Sequence, residues 1–206
     1  HIETIKQTRQ FLHNIYLISG IRTSDDVMRG EETQLLGLSG KHKTQNGVYV
    51  LPGTHSKHIF INNRTITDFK TYVTGELFEL LATQSILSDS ISKSENFAMS
   101  DAFQNGCEAS LKENLLHSLF TVRSRHLLQK TTAGDNYGYL SGLLIGSEMS
   151  SLAKQGKEPV VVAGEEPLLS YYSAACKILK LNSVEMKLSS DITAAGHRKI
   201  LNNIQN

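Results

Sequence analysis

Near the start of the chain, Ile2, Ile5, Phe11 and Leu12 stand among polar and charged residues at roughly helical intervals, which predicts a helix over 2–12. The apolar run Ile15-Tyr16-Leu17-Ile18, closed by Ser19-Gly20, predicts a buried strand with its exit turn. A polar loop at 22–26 leads to residues 27–37, where good helix formers follow Gly30 and Gly37 is placed to close a short helix. Asn46-Gly47 signals a turn, and Val48-Tyr49-Val50-Leu51 a short strand that ends at Pro52-Gly53. Over 57–69 apolar and polar side chains alternate (Ile59, Ile61, then Ile66) around Asn62-Asn63-Arg64, the pattern of a β-hairpin. Asn63-Arg64-Thr65 also spells a glycosylation sequon; with no secretory signal ahead of it, the turn is the reading adopted.

Farther along, Leu77, Phe78, Leu80 and Leu81 predict a helix over 75–87, and 101–128 reads as mostly helical with Leu111, Leu115, Leu116, Leu119 and Phe120 on one face. Gly138, Gly142 and Gly146 recur every four residues, so they line one side of a helix and let another backbone come close. Val160-Val161-Val162-Ala163-Gly164 is a buried strand into a turn, followed by a helix beginning near Pro167. A strand at 184–187 and a helix at 191–200 complete the order. Strands grouped with intervening helices, and no internal repeat, predict an α/β domain.

Composition narrows the classes. With 39% hydrophobic residues in 206, the chain can bury a real core, which excludes a disordered or fibrous protein. A net charge of +1 lacks the basic excess of a nucleic-acid scaffold. No apolar run approaches the roughly 20 residues of a membrane-spanning helix, and the expectation is a soluble, cytoplasmic protein with no nucleic-acid or membrane partner. Cys107 and Cys176 lie far apart with no CxxC partner and read as two reduced, buried small residues rather than a zinc site or a disulfide. The chain opens at His1 and runs directly into an amphipathic segment, which reads as a fragment.

Familiar motifs are missing. Gly40-Lys41 is followed by His42, and Leu35 stands where a GxxxxGK[ST] loop needs its first Gly; HExxH, GxSxG and an isolated GxGxxG do not occur. His55 and His58, three apart on an extended segment, point to opposite faces and make a poor metal pair. Pro52-Gly53-Thr54-His55-Ser56-Lys57 carries more chemistry: a strand ending in Gly, two hydroxyls and a Lys in one tight turn offer the donors and cation that a phosphate chain needs, although an ordinary polar hairpin turn has the same composition. Arg29-Gly30-Glu31-Glu32 offers two carboxylates and a cation, fit for a general base and a carboxylate-binding group; the plainer reading is a solvated helix start.

Taken together, these clusters sit in longer blocks. The stretch from Asp26 through Arg29-Gly30-Glu31-Glu32-Thr33-Gln34 to Gly37, then Leu51-Pro52-Gly53-Thr54-His55-Ser56-Lys57, then Thr74-Gly75-Glu76-Leu77, resembles the 2-dehydro-3-deoxygalactonokinase family. Asp101-Ala102-Phe103, the stretch from Tyr139 to Gly146, and Val162-Ala163-Gly164 are similar to that family as well. The resemblance implies a ribonuclease-H-like, actin-type ATPase domain, a mixed sheet with helices on both faces, in a sugar-acid kinase. It implies transfer of the γ-phosphate of ATP, with Mg²⁺, to the 6-hydroxyl of 2-dehydro-3-deoxy-D-galactonate in galactonate catabolism. On that basis Gly53, Thr54, His55, Ser56 and Lys57 belong at the nucleotide phosphates, Ala163, Gly164 and Glu165 at the adenosine, Glu31 or Glu32 as the base, and Arg29 on the substrate.

The chain departs from the pattern in lacking an Asp-x-Gly-Thr/Ser phosphate loop before Arg22, so residues 1–206 are expected to be mainly the C-terminal ATPase domain of a two-domain kinase, without the N-terminal domain. Lesser departures are His58, where the family tends to have Trp, and the acidic pair Glu165-Glu166. A non-catalytic nucleotide-binding or interaction module, and a kinase for another keto-deoxy sugar acid, stay open as alternatives, as does a homo-oligomer.

Overall fold

The computed structural model describes residues 2–5, 12–38, 45–94, 97–155, 158–188 and 190–205. The strands are β1 (Ile2–Ile5), β2 (Ile15–Ile18), β3 (Ile21–Arg22), β4 (Val27–Met28), β5 (Gly47–Leu51), β6 (Ser56–Asn62), β7 (Thr65–Tyr72), β8 (Val160–Gly164) and β9 (Ser183–Lys187). The helices are α1 (Glu31–Leu38), α2 (Thr74–Gln84), α3 (Asp101–Lys112), α4 (Leu115–Leu127), α5 (Ala133–Gln155), α6 (Leu168–Ile178) and α7 (Ser190–Gln205). Two compact units result, one of residues 1–43 with 189–206 and one of residues 44–188.

The first unit corrects three expectations. Residues 2–5 form a strand rather than the start of a helix, because they pair antiparallel with β2 in the register Ile2↔Ile18 to Ile5↔Ile15; cross-strand partners far along the chain override a weak helical period. The rest of that expected helix, at 6–11, lies outside the described residues, as does Gly40-Lys41-His42. Strand β2 is half-buried rather than buried, with Leu17 exposed, in a ladder of only two strands. Gly37 lies inside α1 instead of closing it. A Cβ there would run into the backbone carbonyl of Ile192 on α7, and one on Gly196 of α7 would meet the Thr33 carbonyl, so the two glycines set the close approach of α1 and α7.

The second unit is built on a five-stranded sheet in the order β7-β6-β5-β8-β9. Strands β5, β6 and β7 run as an antiparallel meander, and β5, β8 and β9 are parallel. The expected hairpin turn falls at Asn63 and Arg64, whose φ angles of 48° and 62° are the left-handed pair that a two-residue turn between twisted strands requires. Every residue of β5 and β8 is buried, as for strands covered on both faces. On one face Val48, Val50, Val160 and Val162 pack with Phe103 and Cys107 of α3, Met149 and Leu152 of α5, and Leu169 and Tyr172 of α6. This is an α/β fold with a mixed sheet flanked by helices, consistent with the ribonuclease-H-like class.

Two helices replace the single stretch read at 101–128. Glu113 is extended (φ −116°, ψ 159°), and the Asn114 side chain accepts from the N–H groups of Leu116 and His117, which starts α4 afresh. That break turns the two halves independently. Leu111, Leu116 and Phe120 are therefore exposed, and the buried positions are Phe103, Gly106 and Cys107 on α3 and Ser118 and Val122 on α4. The glycine stripe of α5 does pack: Gly142 faces the Phe103 carbonyl and Gly146 lies over the Cys107 backbone, while Gly106 on α3 answers them against the Tyr139 carbonyl. Both cysteines are free and buried, as expected, and burial pushes the Cys107 thiol up to about 12 and that of Cys176 up to about 11.

Candidate functional site

Strand β5 ends at Leu51 and β6 begins at Ser56, so Pro52-Gly53-Thr54-His55 makes the turn between them, with Thr54 and His55 exposed. The N-terminus of α2 packs against this turn. The Glu76 N–H donates to the Thr54 carbonyl at 3.1 Å, and the Glu76 carboxylate meets His55 Nε2 at 2.6 Å. Gly75 is required by the packing, because a Cβ there would sit 2.6 Å from the Gly53 oxygen and 2.9 Å from Thr54 Cα.

Beneath the turn runs a buried polar chain. Ser56 Oγ lies 2.7 Å from Tyr172 Oη, Tyr172 Oη is 2.7 Å from Glu148 Oε2, and Glu148 Oε1 is 2.9 Å from His58 Nε2. An ionised carboxylate only accepts, so Tyr172 and His58 Nε2–H donate to Glu148; the Ser56 hydroxyl in turn donates to Tyr172, which leaves it able to accept from the Gly53 N–H at 3.4 Å. Burial and the neighbouring Glu148 charge, in that order, hold the Tyr172 phenol well above its ordinary range, so it stays protonated. The His58 ring lies 4.5 Å from that of Tyr72, and its Nδ1 is buried with no hydrogen-bond partner among the described residues.

A cavity of about 420 Å³ opens beside the turn. Gly53 and Thr54 of the turn line it together with Phe78 of α2, Ile145 of α5, and Tyr171 and Tyr172 of α6, and the carboxylates Glu76 and Glu79 of α2 border it as well. A Cβ on Gly53 would meet nothing nearer than the His55 oxygen at 4.0 Å, so the glycine leaves space in front of the backbone for a ligand to approach closely. A mostly apolar pocket bordered by a few hydroxyl and carboxylate groups is of the kind that takes a small-molecule ligand.

The structure brings together the sequence candidates of this unit. Ser56 and Lys57 alternate along β6: Ser56 is fully buried in the polar chain, and Lys57, also buried, turns its Nζ back to the His55 carbonyl at 3.2 Å. Gly164 at the end of β8 lies against the Pro52 ring, where a Cβ on the glycine would stand 3.4 Å from Pro52 Cδ, so the β8 exit adjoins the turn. Ala163, Gly164 and the exposed Glu165 do not line the cavity; Leu168, Tyr171 and Tyr172 of the helix that follows them do. Arg29, Glu31 and Glu32 belong to the other unit, at the start of α1. Arg29 is exposed and Glu31 half-buried, whereas Glu32 is buried and takes the Gly30 N–H on its Oε2 at 2.7 Å, a local cap.

Glu148 and Tyr172 are the functional candidates that pattern reading passes over. The one signal for Glu148 is a carboxylate two residues past the last glycine of an otherwise apolar stripe; Tyr172 sits in a helix whose period reads as core. Among the described residues no group of three or more His, Cys, Asp and Glu side chains could hold a metal ion, and no helix is long and apolar enough to cross a membrane.

Comparison with known proteins places the chain in a family. The family model for 2-keto-3-deoxy-galactonokinase matches residues 2–200. The 2-dehydro-3-deoxygalactonokinase of Escherichia coli (strain K12) is 41% identical over 144 residues, covering 68% of this chain and 48% of its own length. A probable 2-dehydro-3-deoxygalactonokinase of Rhizobium meliloti (strain 1021) is 35% identical over 178 residues, 82% of this chain and 58% of its own. A crystal structure from Sinorhizobium meliloti, of a protein provisionally given the same enzyme name, superposes with a TM-score of 0.87 at 30% identity, over 98% of this chain and 67% of that one. The chain thus spans about half the length of the curated relatives it matches. With a match that runs through almost every described element, the chain belongs to the 2-keto-3-deoxy-galactonokinase family.

Proposed function

We propose that the chain is mainly the ATPase side of a two-domain sugar-acid kinase that transfers the γ-phosphate of ATP to the 6-hydroxyl of 2-dehydro-3-deoxy-D-galactonate, in galactonate catabolism. The observation that carries this reading is the Gly53–Thr54 turn, clamped by α2 beside a mostly apolar cavity. Phosphoryl transfer depends on positioning and charge neutralisation more than on covalent chemistry, and a fixed turn with backbone and hydroxyl donors supplies the first. Thr54 Oγ1 and the turn N–H groups hold phosphate oxygens, Gly53 lets them come close to the backbone, and the cavity between α2, α5 and α6 takes the nucleobase. Lys57 sets a positive charge beneath the turn. Mg²⁺ arrives with the nucleotide, to which it contributes neutralisation of the β- and γ-phosphates.

In the first unit, Glu31 is the better base of the adjacent pair, because it is only half-buried whereas Glu32 is buried. Glu31 accepts the proton of the attacking primary hydroxyl, and the exposed Arg29 pairs with the sugar-acid carboxylate.

The test is a coupled ADP-release assay with Mg-ATP and 2-dehydro-3-deoxygalactonate. Turnover that needs both substrates supports the reading. Saturable ATP binding with no turnover, in this chain and in one extended at its N-terminus, would replace it with a non-catalytic nucleotide-binding module. Turnover with a different keto-deoxy sugar acid alone would move the substrate within the class.

A further inference from the structure

We propose that Tyr172, oriented by Glu148 and His58, is the positioning residue that draws Ser56 inward and thereby fixes the shape of the 53–56 turn toward the nucleotide phosphates. The inference rests on the reading of that turn as the phosphate site. It reassigns Ser56 from a phosphate ligand to an internal tether, leaving Thr54 as the exposed hydroxyl of the turn.

The argument starts from what a stable core would prefer. The Glu148 and His58 side chains are 1% and 0% exposed, Ser56 is fully buried, and Tyr172, 2% exposed, belongs to a core cluster otherwise built of aliphatic residues, Phe103 and two cysteines. Replacing a buried charged network with apolar residues of similar volume is often neutral or stabilising, so a network kept in such a place is a candidate for a geometric role. The geometry here has a direction. Glu148 can only accept, which fixes the Tyr172 proton toward it; Tyr172 then presents lone pairs, and Ser56 donates to one of them. The same oxygen therefore joins β6, α5 and α6 beside the turn that α2 clamps from outside.

His58 completes the orientation. With Nε2–H on Glu148 and Nδ1 without a partner among the described residues, it holds the carboxylate from the side opposite Tyr172 and leaves Tyr172 a single acceptor. The ring of Tyr172 also lines the cavity, so one residue touches both the nucleobase space and the tether of the phosphate turn.

The test compares Tyr172→Phe, Ser56→Ala, the double variant, Glu148→Gln and Glu148→Ala in two readouts, the Kd for Mg-ATP by calorimetry and amide hydrogen exchange at 53–56 without nucleotide. Tyr172→Phe and Ser56→Ala are each expected to weaken ATP about tenfold, the scale of one lost buried hydrogen bond, with faster exchange confined to the turn and unchanged in β8. The double variant is expected to be no worse than either single one, because both cut the same tether. Glu148→Gln keeps an acceptor for Tyr172 and, with the other His58 tautomer, a donor for the imidazole, so it should retain affinity within about threefold while Glu148→Ala loses it. Additive effects in the double variant, exchange that rises throughout the sheet, or Tyr172→Phe indistinguishable from the parent in both readouts would each overturn the proposal. Should the parent bind no ATP, the functional reading fails, and the exchange data alone still decide whether Tyr172 orders the turn.

Discussion

The turn at 53–57 and the helix start at 29–32 carry similar chemistry, hydroxyl or carboxylate groups beside a cation around a glycine, and they are held in opposite ways. The turn is fixed from a distance: Glu76 grips His55 and the Thr54 carbonyl from α2, Gly75 packs on the Gly53 backbone, and Tyr172 holds Ser56 from α6. The helix start fixes itself, with Glu32 capping Gly30 two residues before it and the Gly30 carbonyl taking the N–H groups of Thr33 and Gln34. A phosphate site needs preorganised donors whose geometry does not relax when charge arrives, and long-range supports supply that. A general base needs a carboxylate that the substrate can reach and otherwise little scaffolding, which on the proposed reading the half-buried Glu31 offers beside the buried, capping Glu32.

This contrast can be broken most strongly at the carboxylates. Glu31→Gln is expected to lower kcat by about 10²–10⁴ in the coupled assay, the usual loss of a positioned base. Glu32→Ala should leave kcat within tenfold and instead cost about 1 kcal/mol of stability in thermal unfolding, the typical value of a lost cap. Equal losses of rate in both would erase the distinction between base and cap.

Next in size is the long-range clamp. Gly75→Ala sets a methyl against the Gly53 carbonyl and must displace the turn, so ATP-dependent kcat/KM should fall about 10²-fold, as for a misplacement near 1 Å, with the 29–32 segment unaffected in amide exchange.

A smaller effect separates the two units by pH. Cys107 and Cys176, packed on the sheet of the second unit, ionise at about 12 and about 11 in the fold against an ordinary 9.0 once the chain is unfolded. Because the folded thiols hold their protons where unfolded ones have lost them, their contribution is fully present below pH 9 and drains away as pH rises toward 11–12; Tyr172 adds in the same direction above pH 10. Thermal melting of the second unit should therefore fall steadily above pH 9, and a flat profile to pH 11 would show that these groups are solvated.

The smallest change is expected for Glu76→Gln. The His55–Glu76 pair is half exposed, so its loss should cost well under 1 kcal/mol in denaturant unfolding, and the backbone clamp from Glu76 N–H should keep ATP affinity within a few-fold.

How much of this was legible in the chain follows the same division. Local signals carried well: the two-residue turn at Asn63-Arg64, the strands at 47–51 and 160–164, and the packing glycines of α5 each depend on residue types that leave few alternatives. Nonlocal facts did not. Pairing with β2 made a strand of residues 2–5, an extended Glu113 split one apparent helix face into two, and α7 turned Gly37 from a helix stop into a contact. The candidate turn was visible as a cluster of donors. Its supports were not, because nothing local tells a core tyrosine in α6, or a carboxylate in a glycine-striped α5, that a serine from β6 lies 2.7 Å away.

The most direct test of the central claim is a hydrogen-exchange footprint of Mg-ATP on the chain. The account predicts that saturating nucleotide protects the amides of 53–57 together with those of 168–172, on either side of the cavity. Protection confined to other segments, with ATP bound, would contradict it.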